Sequence, residues 1–411
     1  MQQILIQNFG PIVNSCGVTL KVNKVTVLCG RQGSGKSSIA KLISTFFWLE
    51  KALVRGDFGI NELTAKNVFR DKYCAFHNIQ NYFKADTYFY FKGTKFEFTY
   101  EKGVLNVAEI KTTRNFVRPQ VMYIPAERNL MAALDDADKI QNLPGSLSAM
   151  LDEYSRAIRN AKKPLSLPLN GFKVSYDELT KSAWLSDSNF SIKMTEAASG
   201  FQSMAPMVIV TRYLFNKIME NKKGAGLESA SEVERRKIIN RVTKLLKDGS
   251  LSSSMRATLI KQLHAGYFNG RLVNIVEEPE QNLYPETQRN VLNELLKVNN
   301  ELAYNQLVFT THSPYMLNYL TLAIKAGMLK DDLKHSAKSK ELLGKMDLIV
   351  PRSGAVRPKD VSIYEISHDG EFQLLGNYDG VPSDTNFLNS ALNDANEMFD
   401  ALLEIQDEVR G

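Results

Sequence analysis

Cysteine is scarce. Cys16, Cys29 and Cys74 are the only three in 411 residues. They are too few and too scattered for a disulfide scaffold, and no CxxC spacing offers a zinc ligand set. Histidine is nearly as sparse: His77, His264, His312, His335 and His368 are dispersed, which argues against a histidine-based metal centre. No hydrophobic run reaches the ~18 residues a membrane span requires. The longest mostly apolar stretch, Met204 to Phe215, carries Arg212. The opening MQQILIQNFG lacks a basic segment followed by an apolar core, so no secretory leader is expected. Internal repeats and low-complexity linkers are also missing. What remains is an ordinary globular composition, 44% hydrophobic and 23% charged, at a length that suits two or three domains. A cytoplasmic protein with no membrane partner is the expectation.

Net charge is +6, but it is unevenly spread. Residues 217–261 hold eleven Lys or Arg against five Asp or Glu. From Asp379 to the end there are eight acids and a single base, Arg410. A basic middle and an acidic tail point to separate surfaces, to a tail that docks on the middle, or simply to solvated helix faces. The basic segment is a candidate for nucleic acid.

Residues 3–8 and 18–29 read as strands leading into a glycine-rich turn, and Ile39–Trp48 as an apolar helix. Between 86 and 110, Tyr88, Tyr90, Phe96, Phe98 and Tyr100 alternate with other residues, and Lys92-Gly93 and Lys102-Gly103 sit at the turns. That is antiparallel strand with hairpin chemistry. Val121–Ile124 is a strand closed by Pro125, residues 128–164 are mostly helical in pattern, and 165–194 mix short strands with turns. Helices are expected over Ser203–Met219, 228–264 and Glu286–Val298, with buried-type strands at Leu272–Val276 and Leu307–Thr310. Beyond His312 come a helix, a Lys-rich stretch, strands at Asp347–Pro351 and Ser362–Ile366, and a final helix. In that last helix Leu388, Leu392, Ala395, Phe399, Leu402 and Val409 fall near one face.

The strongest local signal is Gly30-Arg31-Gln32-Gly33-Ser34-Gly35-Lys36-Ser37, followed by Ser38. It is GxxxxGK[ST] between an apolar strand and a helix, the context a phosphate-binding loop requires. Glycines let consecutive N–H groups converge on phosphate oxygens, and the helix N-terminus adds positive potential. Lys36 is expected to neutralise the β- and γ-phosphates and Ser37 to ligate Mg²⁺. Such a loop also needs a second acid for the metal and a group that polarises water. The strand Leu272–Val276 delivers Glu277 and Glu278 to its end. Side chains alternate along a strand, so adjacent carboxylates diverge. Glu277 is assigned to the metal and Glu278 to the general base. His312 ends the next strand, 34 residues past Glu278, where an imidazole can meet the γ-phosphate.

Ser199-Gly200-Phe201-Gln202-Ser203, opening an apolar helix, resembles the signature motif of ABC-class ATPases. The order of phosphate loop, antiparallel lobe, signature, acid pair and histidine is that class's order, and the resemblance covers most of residues 1–320. Ile6-Gln7-Asn8-Phe9-Gly10-Pro11, the run Glu277-Glu278-Pro279-Glu280 with Leu283-Tyr284-Pro285, and Thr311-His312-Ser313-Pro314 are similar to the RecF/SMC-like branch. The closest likeness is to the overcoming-lysogenisation-defect family and related ATPases of bacterial anti-phage systems such as Septu, PARIS and retron operons. Tyr123-Ile124-Pro125-Ala126-Glu127-Arg128 also looks like a strand motif of that group.

The resemblance implies an α/β fold: a P-loop ABC-type ATPase head with a mixed central sheet, an antiparallel β lobe and a helical insertion. It implies ATP sandwiched between two copies of the head. Ser199, Gly200 and Gln202 of one copy would meet the nucleotide held by the loop of the other. It implies a homo-oligomeric switch that governs a separate effector, a nuclease or toxin. The segments are 1–127 (phosphate loop and β lobe), 128–270 (helical, with signature and basic insertion), 271–320 (acid pair and histidine strands) and 321–411 (C-terminal α/β extension).

Three departures stand out. Glu277 stands where the wider class has Asp, Phe201 replaces the signature's second glycine, and no Q-loop glutamine is evident, Gln120 and Glu127 both being in reach. Slow turnover would fit them. No Toprim-type DxD pair and no HNH-type histidine cluster is found, and only 99 residues follow His312. A DNA-repair ATPase of RecF/SMC type is the alternative reading, and a transporter energy subunit ranks last.

Overall fold

The computed structural model describes residues 2–222 and 269–410 apart from 114, 135–139, 141, 170 and 337, together with the isolated positions 239, 243 and 246. The helices expected over 228–264, and most of the basic segment 217–261, lie outside the described residues.

An antiparallel sheet begins the chain. Its strands are β1 (Gln2–Phe9), β2 (Leu20–Val22), β4 (Phe83–Lys92), β5 (Phe96–Glu101) and β6 (Val104–Glu109), in the order β2-β1-β4-β5-β6. The period-two pattern of 86–110 is thus realised as a hairpin meander, with β1 added at its side. Phe89, Phe91 and Phe98 alternate inward and meet Phe46, whose ring stacks between Phe69 and Phe91 at centroid distances of 5.3 and 5.0 Å. Phe46 belongs to α1 (Lys36–Arg55). That helix ends where Gly56 adopts the left-handed conformation and returns its N–H to Leu53. One tie between lobe and helix is polar. The Glu50 carboxylate is buried and accepts the N–H groups of Thr94 and Lys95 at 2.5 and 2.7 Å, in the turn between β4 and β5. Gly93 is needed there, since a Cβ would stand 2.3 Å from Glu50 Oε1.

The central sheet comprises β3 (Val25–Gly30), β7 (Pro119–Ile124), β12 (Arg271–Glu277), β13 (Gln306–Thr311), β14 (Val361–Ile366) and β15 (Phe372–Leu374), in the order β15-β14-β3-β13-β12-β7. All pairs are parallel except β14 with β15. The sheet is therefore mixed, and β14 of the C-terminal segment forms its sixth-strand neighbour to β3. Buried on both faces, β3, β12 and β13 read as continuous apolar runs rather than alternating ones. Leu28, Val273, Ile275 and Val308 face α1 and the antiparallel lobe. Val27, Val276, Leu307 and Phe309 face the other side, where α2 (Gly145–Arg159), α3 (Ser199–Glu220), α4 (Pro285–Asn300) and α5 (Pro314–Asp332) pack. A small sheet between α2 and α3 is built from β8 (Leu165–Ser166), β9 (Lys173–Asp177), β10 (Ser182–Ser186) and β11 (Ser191–Lys193).

One expectation needs correction. Asp347–Pro351 is not a strand. A short helix, α6 (Ser339–Asp347), runs into turns there, because the Asp347 carboxylate accepts the Arg352 N–H at 2.8 Å and folds the chain back. The mostly helical pattern of 128–164 is realised as a 3₁₀ helix at Ala126–Asn129, a short α-helix at Leu130–Ala133 and the longer α2, which starts behind Pro144. In the final helix, α7 (Phe387–Arg410), Leu388 is buried while Phe399, Leu402 and Val409 are each more than 60% exposed. Among the described residues, no helix is long and apolar enough to cross a membrane.

Candidate nucleotide site

The C-terminal ends of β3, β13, β12 and β7 meet at one edge of the sheet, and the sequence-selected residues gather there. After Gly30 the loop turns through Gly33 and Gly35, both with positive φ (78° and 103°), conformations that L side chains rarely adopt. α1 begins at Lys36 with no side-chain cap, so its first N–H groups face the loop concavity. The Lys36 ammonium folds back onto the carbonyls of Gly30 and Arg31 at 2.8 and 2.6 Å. Burial, opposed by the nearby Glu278, pushes it down to about 8. Arg31, Gln32 and Gly33 are exposed, Ser34 and Ser38 are buried, and Ser37 is half-buried on the first turn.

The acid pair diverges for a reason the strand pattern did not contain. β12 ends at Glu277, and Glu278 takes a left-handed conformation with φ 42°. For a non-glycine residue this is strained and is held by its neighbours. The Glu278 N–H donates to the Thr310 carbonyl at 3.1 Å, and its own carbonyl accepts from Arg128 at 2.7 Å. The turn, not the pleat, aims the two side chains apart. Glu277 is buried; its carboxylate accepts the Tyr123 hydroxyl and the Ala126 N–H. Each carboxylate oxygen has two acceptor sites, so capacity remains for a metal or its water. Glu278 is half-buried and accepts from His312 Nε2 at 3.1 Å. That hydrogen bond holds its carboxyl below the usual range, with the His312, Lys36 and Arg128 charges assisting. Lys36, Glu278 and His312 are thus brought together.

Glu280, not singled out from the sequence, completes this edge. One of its oxygens accepts the Thr311 hydroxyl and the His312 N–H, both at 2.7 Å, which fixes the backbone that carries the imidazole. Its other oxygen is buried without a partner, and burial raises its carboxyl above the usual range.

Arg128, which the sequence offered only as the end of the Tyr123–Arg128 motif, also acts here. Its guanidinium is fully buried and donates to the carbonyls of Pro125, Ser203, Glu277 and Glu278 at 3.2, 2.9, 2.6 and 2.7 Å. It joins the end of β7, the acid turn and the first turns of α3. Replacing it with Met leaves four buried carbonyls without that donor. Arg128→Met should destabilise the chain by about 3–5 kcal/mol, as broken buried charge networks do. Thermal denaturation checks this, and a melting temperature equal to wild type would refute the role.

The signature residues start α3, on the far side of Arg128. Ser199 is exposed. A Cβ on Gly200 would lie 2.8 Å from the Asn282 carbonyl, so the helix start abuts the loop after the acid pair. The Gln202 amide donates to the carbonyls of Met194 and Thr195 at 3.2 and 3.1 Å and so braces its own turn. Among the described residues, no hydrogen bond joins Ser199, Gly200 or Gln202 to the 30–38 loop of the same chain. Of the two Q-loop candidates, Gln120 sits near the opposite end of β7, where its side chain accepts from Asn269. Glu127 is exposed just past that strand's C-terminal end and is the one on the correct edge.

The residues fit a nucleotide with Mg²⁺. The glycine turn, the uncapped helix start, one lysine and the Ser37 hydroxyl are the donor set for a triphosphate. No group of three or more metal-type side chains occurs among the described residues. Mg²⁺ commonly takes one or two protein ligands plus phosphate oxygens, so Ser37 and Glu277 suffice.

A strand–glycine loop–helix at the edge of a mixed sheet, with an antiparallel lobe and a paired acid at the end of a neighbouring strand, is the arrangement of a P-loop α/β fold. A family model described as "AAA domain, putative AbiEii toxin, Type IV TA system" matches residues 257–318. No curated protein matches the chain. Among solved structures it is similar to an SMC head domain from Thermotoga maritima, at 12% identity and TM-score 0.34, over 77% of this chain and 90% of that one. It is also similar to an SMC head bound to the C-winged helix domain of ScpA, at 12% identity and TM-score 0.33, over 91% and 96% of the two chains. A third likeness, at 9% identity and TM-score 0.27 over 91% and 100%, is to a dimeric ATP-binding cassette bound to ADP and Pi. Likenesses this distant add nothing to what the strand order shows.

Proposed function

We propose that this chain is an ATP-hydrolysing switch of the ABC class, working in a bacterial anti-phage complex as the sensor and scaffold for a separate effector. The observation that carries the ATPase reading is the meeting of Lys36, Glu278 and His312 at the ends of three adjacent strands. In this reading Lys36 and the loop N–H groups hold the triphosphate. Mg²⁺, held by Ser37 and Glu277, would offset charge on the β- and γ-phosphates. Glu278 takes the proton of the attacking water, and His312 orients that carboxylate and then meets the γ-phosphate. The exposed Ser199 and the helix start behind it offer an anion site that makes no hydrogen bond to the 30–38 loop among the described residues, which supports completion of the pocket by a second copy. ATP then holds two heads together and hydrolysis releases them. Size-exclusion chromatography with and without ATP tests this: dimers should appear with ATP in wild type and be lost in Ser199→Arg. An unchanged ATP-dependent dimer in that variant would refute the trans pocket.

The defence assignment rests on the motif resemblance and on the name of the family model over 257–318. Co-purification from the native operon is its test, and a chain that comes out alone with no phage phenotype would sink it. The charge of 217–261 favours a second reading, a DNA-binding ATPase. There, DNA affinity should fall steeply with salt, about one counterion per phosphate contact. Reversing Arg235, Arg236 and Lys237 to Glu should then abolish binding in a mobility-shift assay, and unchanged binding would exclude that segment.

A further inference from the structure

The apolar face of α7 has no part in the nucleotide site. Its root is tied down. The Glu365 carboxylate of β14 accepts the Phe387 N–H at 2.8 Å, and Leu388 is buried. The Asn386 side-chain oxygen caps the first turn by accepting the N–H groups of Leu388 and Asn389 at 3.2 and 3.0 Å. Beyond that root the helix leaves the body: every side chain described from Asp394 to Val409 is exposed. Met398, Phe399, Leu402, Ile405 and Val409 are 58–83% exposed and form one apolar strip along it. Contiguous exposed apolar surface marks an interaction site.

Spacing and charge say what covers it. Met398, Leu402, Ile405 and Val409 recur at intervals of four, three and four. That is a coiled-coil seam, with 402 and 409 at heptad position a and 398 and 405 at d. Glu397, Asp400, Glu404 and Asp407 then fall at c and f, on the outer face. Of the positions that border the seam, g carries Asp394, Ala401 and Glu408, and e carries Phe399 and Gln406. In a parallel pair, g of one helix faces e of the other. Asp394 then faces Phe399 and Ala401 faces Gln406, so no acid meets an acid. An antiparallel pair sets g against g and brings Asp394 of one copy beside Glu408 of the other. The e positions carry no charge for a partner of opposite sign to read, and the acidic outer face repels an anionic lipid surface. The root also has a telling place. Glu365 pairs in register with Cys29, one residue before the phosphate loop. α7 therefore springs from the sheet edge at which two heads would meet over ATP.

We propose that α7 is a self-association surface whose occupant is the same helix of a second copy, packed in parallel through Met398, Leu402, Ile405 and Val409. The seam runs from 398 to 409, short of the ~3–4 heptads of an independent coiled coil, so the contact is weak between free chains. On two heads already joined by ATP it becomes an intramolecular contact at an effective concentration of ~mM order, and it prolongs the closed pair. That gain rests on the head-pairing reading; the helix contact does not.

Sedimentation of the nucleotide-free chain, over a dilution series up to about 0.5 mM, tests the helix contact by itself. Wild type should pass from monomer to oligomer as concentration rises. Leu402→Asp combined with Ile405→Asp should move the midpoint up by more than about 100-fold. Both side chains stand exposed in the single chain, so this variant should keep the cooperative unfolding of the head. Asp400→Lys with Asp407→Lys, on the outer face, should leave the midpoint in place. Orientation is read by oxidative cross-linking. Ile405→Cys in a Cys16→Ser chain should form a disulfide between copies, because position 405 meets its own counterpart only in the parallel pair; Cys29 and Cys74 are buried. A wild-type monomer at the highest concentration overturns the proposal. So do an unmoved midpoint in the seam variant, loss of association on reversing the outer acids, and absence of the cross-link. Ser199→Arg should leave nucleotide-free association untouched. A chain that self-associates through this seam yet forms no ATP-dependent pair keeps the helix contact and sinks the head-pairing reading.

Discussion

Glu278→Gln should bind ATP about as well as wild type and lose turnover by roughly 10²–10⁴-fold, the range for removing a general base. The carboxylate sits half-buried and is kept below the usual range chiefly by the His312 hydrogen bond, so it is ionised at neutral pH and ready to accept a proton. Glutamine keeps the shape, and the left-handed backbone at this position is no more costly for it than for glutamate. It cannot take the proton. Binding survives because the phosphates are held by the loop and Lys36, so the variant should accumulate as an ATP-bound dimer. Phosphate release and chromatography with ATP read both halves of this expectation. Normal hydrolysis would remove Glu278 from the role of base and leave the fold untouched.

Lys36→Ala acts on the other half of the cycle. The ammonium is the one cation of the loop's helical end, bonded in the free chain to the carbonyls of Gly30 and Arg31. Against phosphate it supplies a charge-assisted hydrogen bond worth about 1.5–3 kcal/mol, so its loss should weaken ATP binding by roughly 10- to 150-fold. Titration with a fluorescent ATP analogue measures this, and an unchanged affinity would refute the phosphate role. A pH series adds a second check. Burial holds Lys36 down to about 8 in the free chain. Below that value it is charged and binding is at full strength. As pH rises through 8 the neutral amine must regain a proton before phosphate can bind, so affinity should decline.

The parts of the site carried by contiguous residues were legible. The phosphate loop announces itself by glycine spacing between a buried strand and a helix, and strands such as Leu272–Val276 and Leu307–Thr310 by unbroken apolar runs. What could not be read depends on long-range contacts. In sequence Arg128 is only the last residue of the Tyr123–Arg128 motif, with no role attached, and three of its partners lie 75 and 149–150 positions away. Tyr123 and Glu277 meet only because β7 and β12 are adjacent in the sheet. Glu50 carries no signal in the sequence and is buried by a turn 44 residues on. The separation of Glu277 from Glu278 was anticipated from strand alternation and arises instead from one left-handed residue. The false strand at Asp347–Pro351 shows the converse limit: a short apolar run says little when a neighbouring aspartate can cap the turn.

The buried guanidinium of Arg128 has a mechanical consequence. It grips the carbonyls behind both acids with one hand and the carbonyl of Ser203, the fifth residue of α3, with the other. A tilt of α3, the helix whose exposed tip would greet a second copy, cannot occur without dragging the peptide planes on which the proton acceptor rides. Docking and chemistry would then share one rigid lever, and a mismatched neighbour would leave the water-activating group out of line.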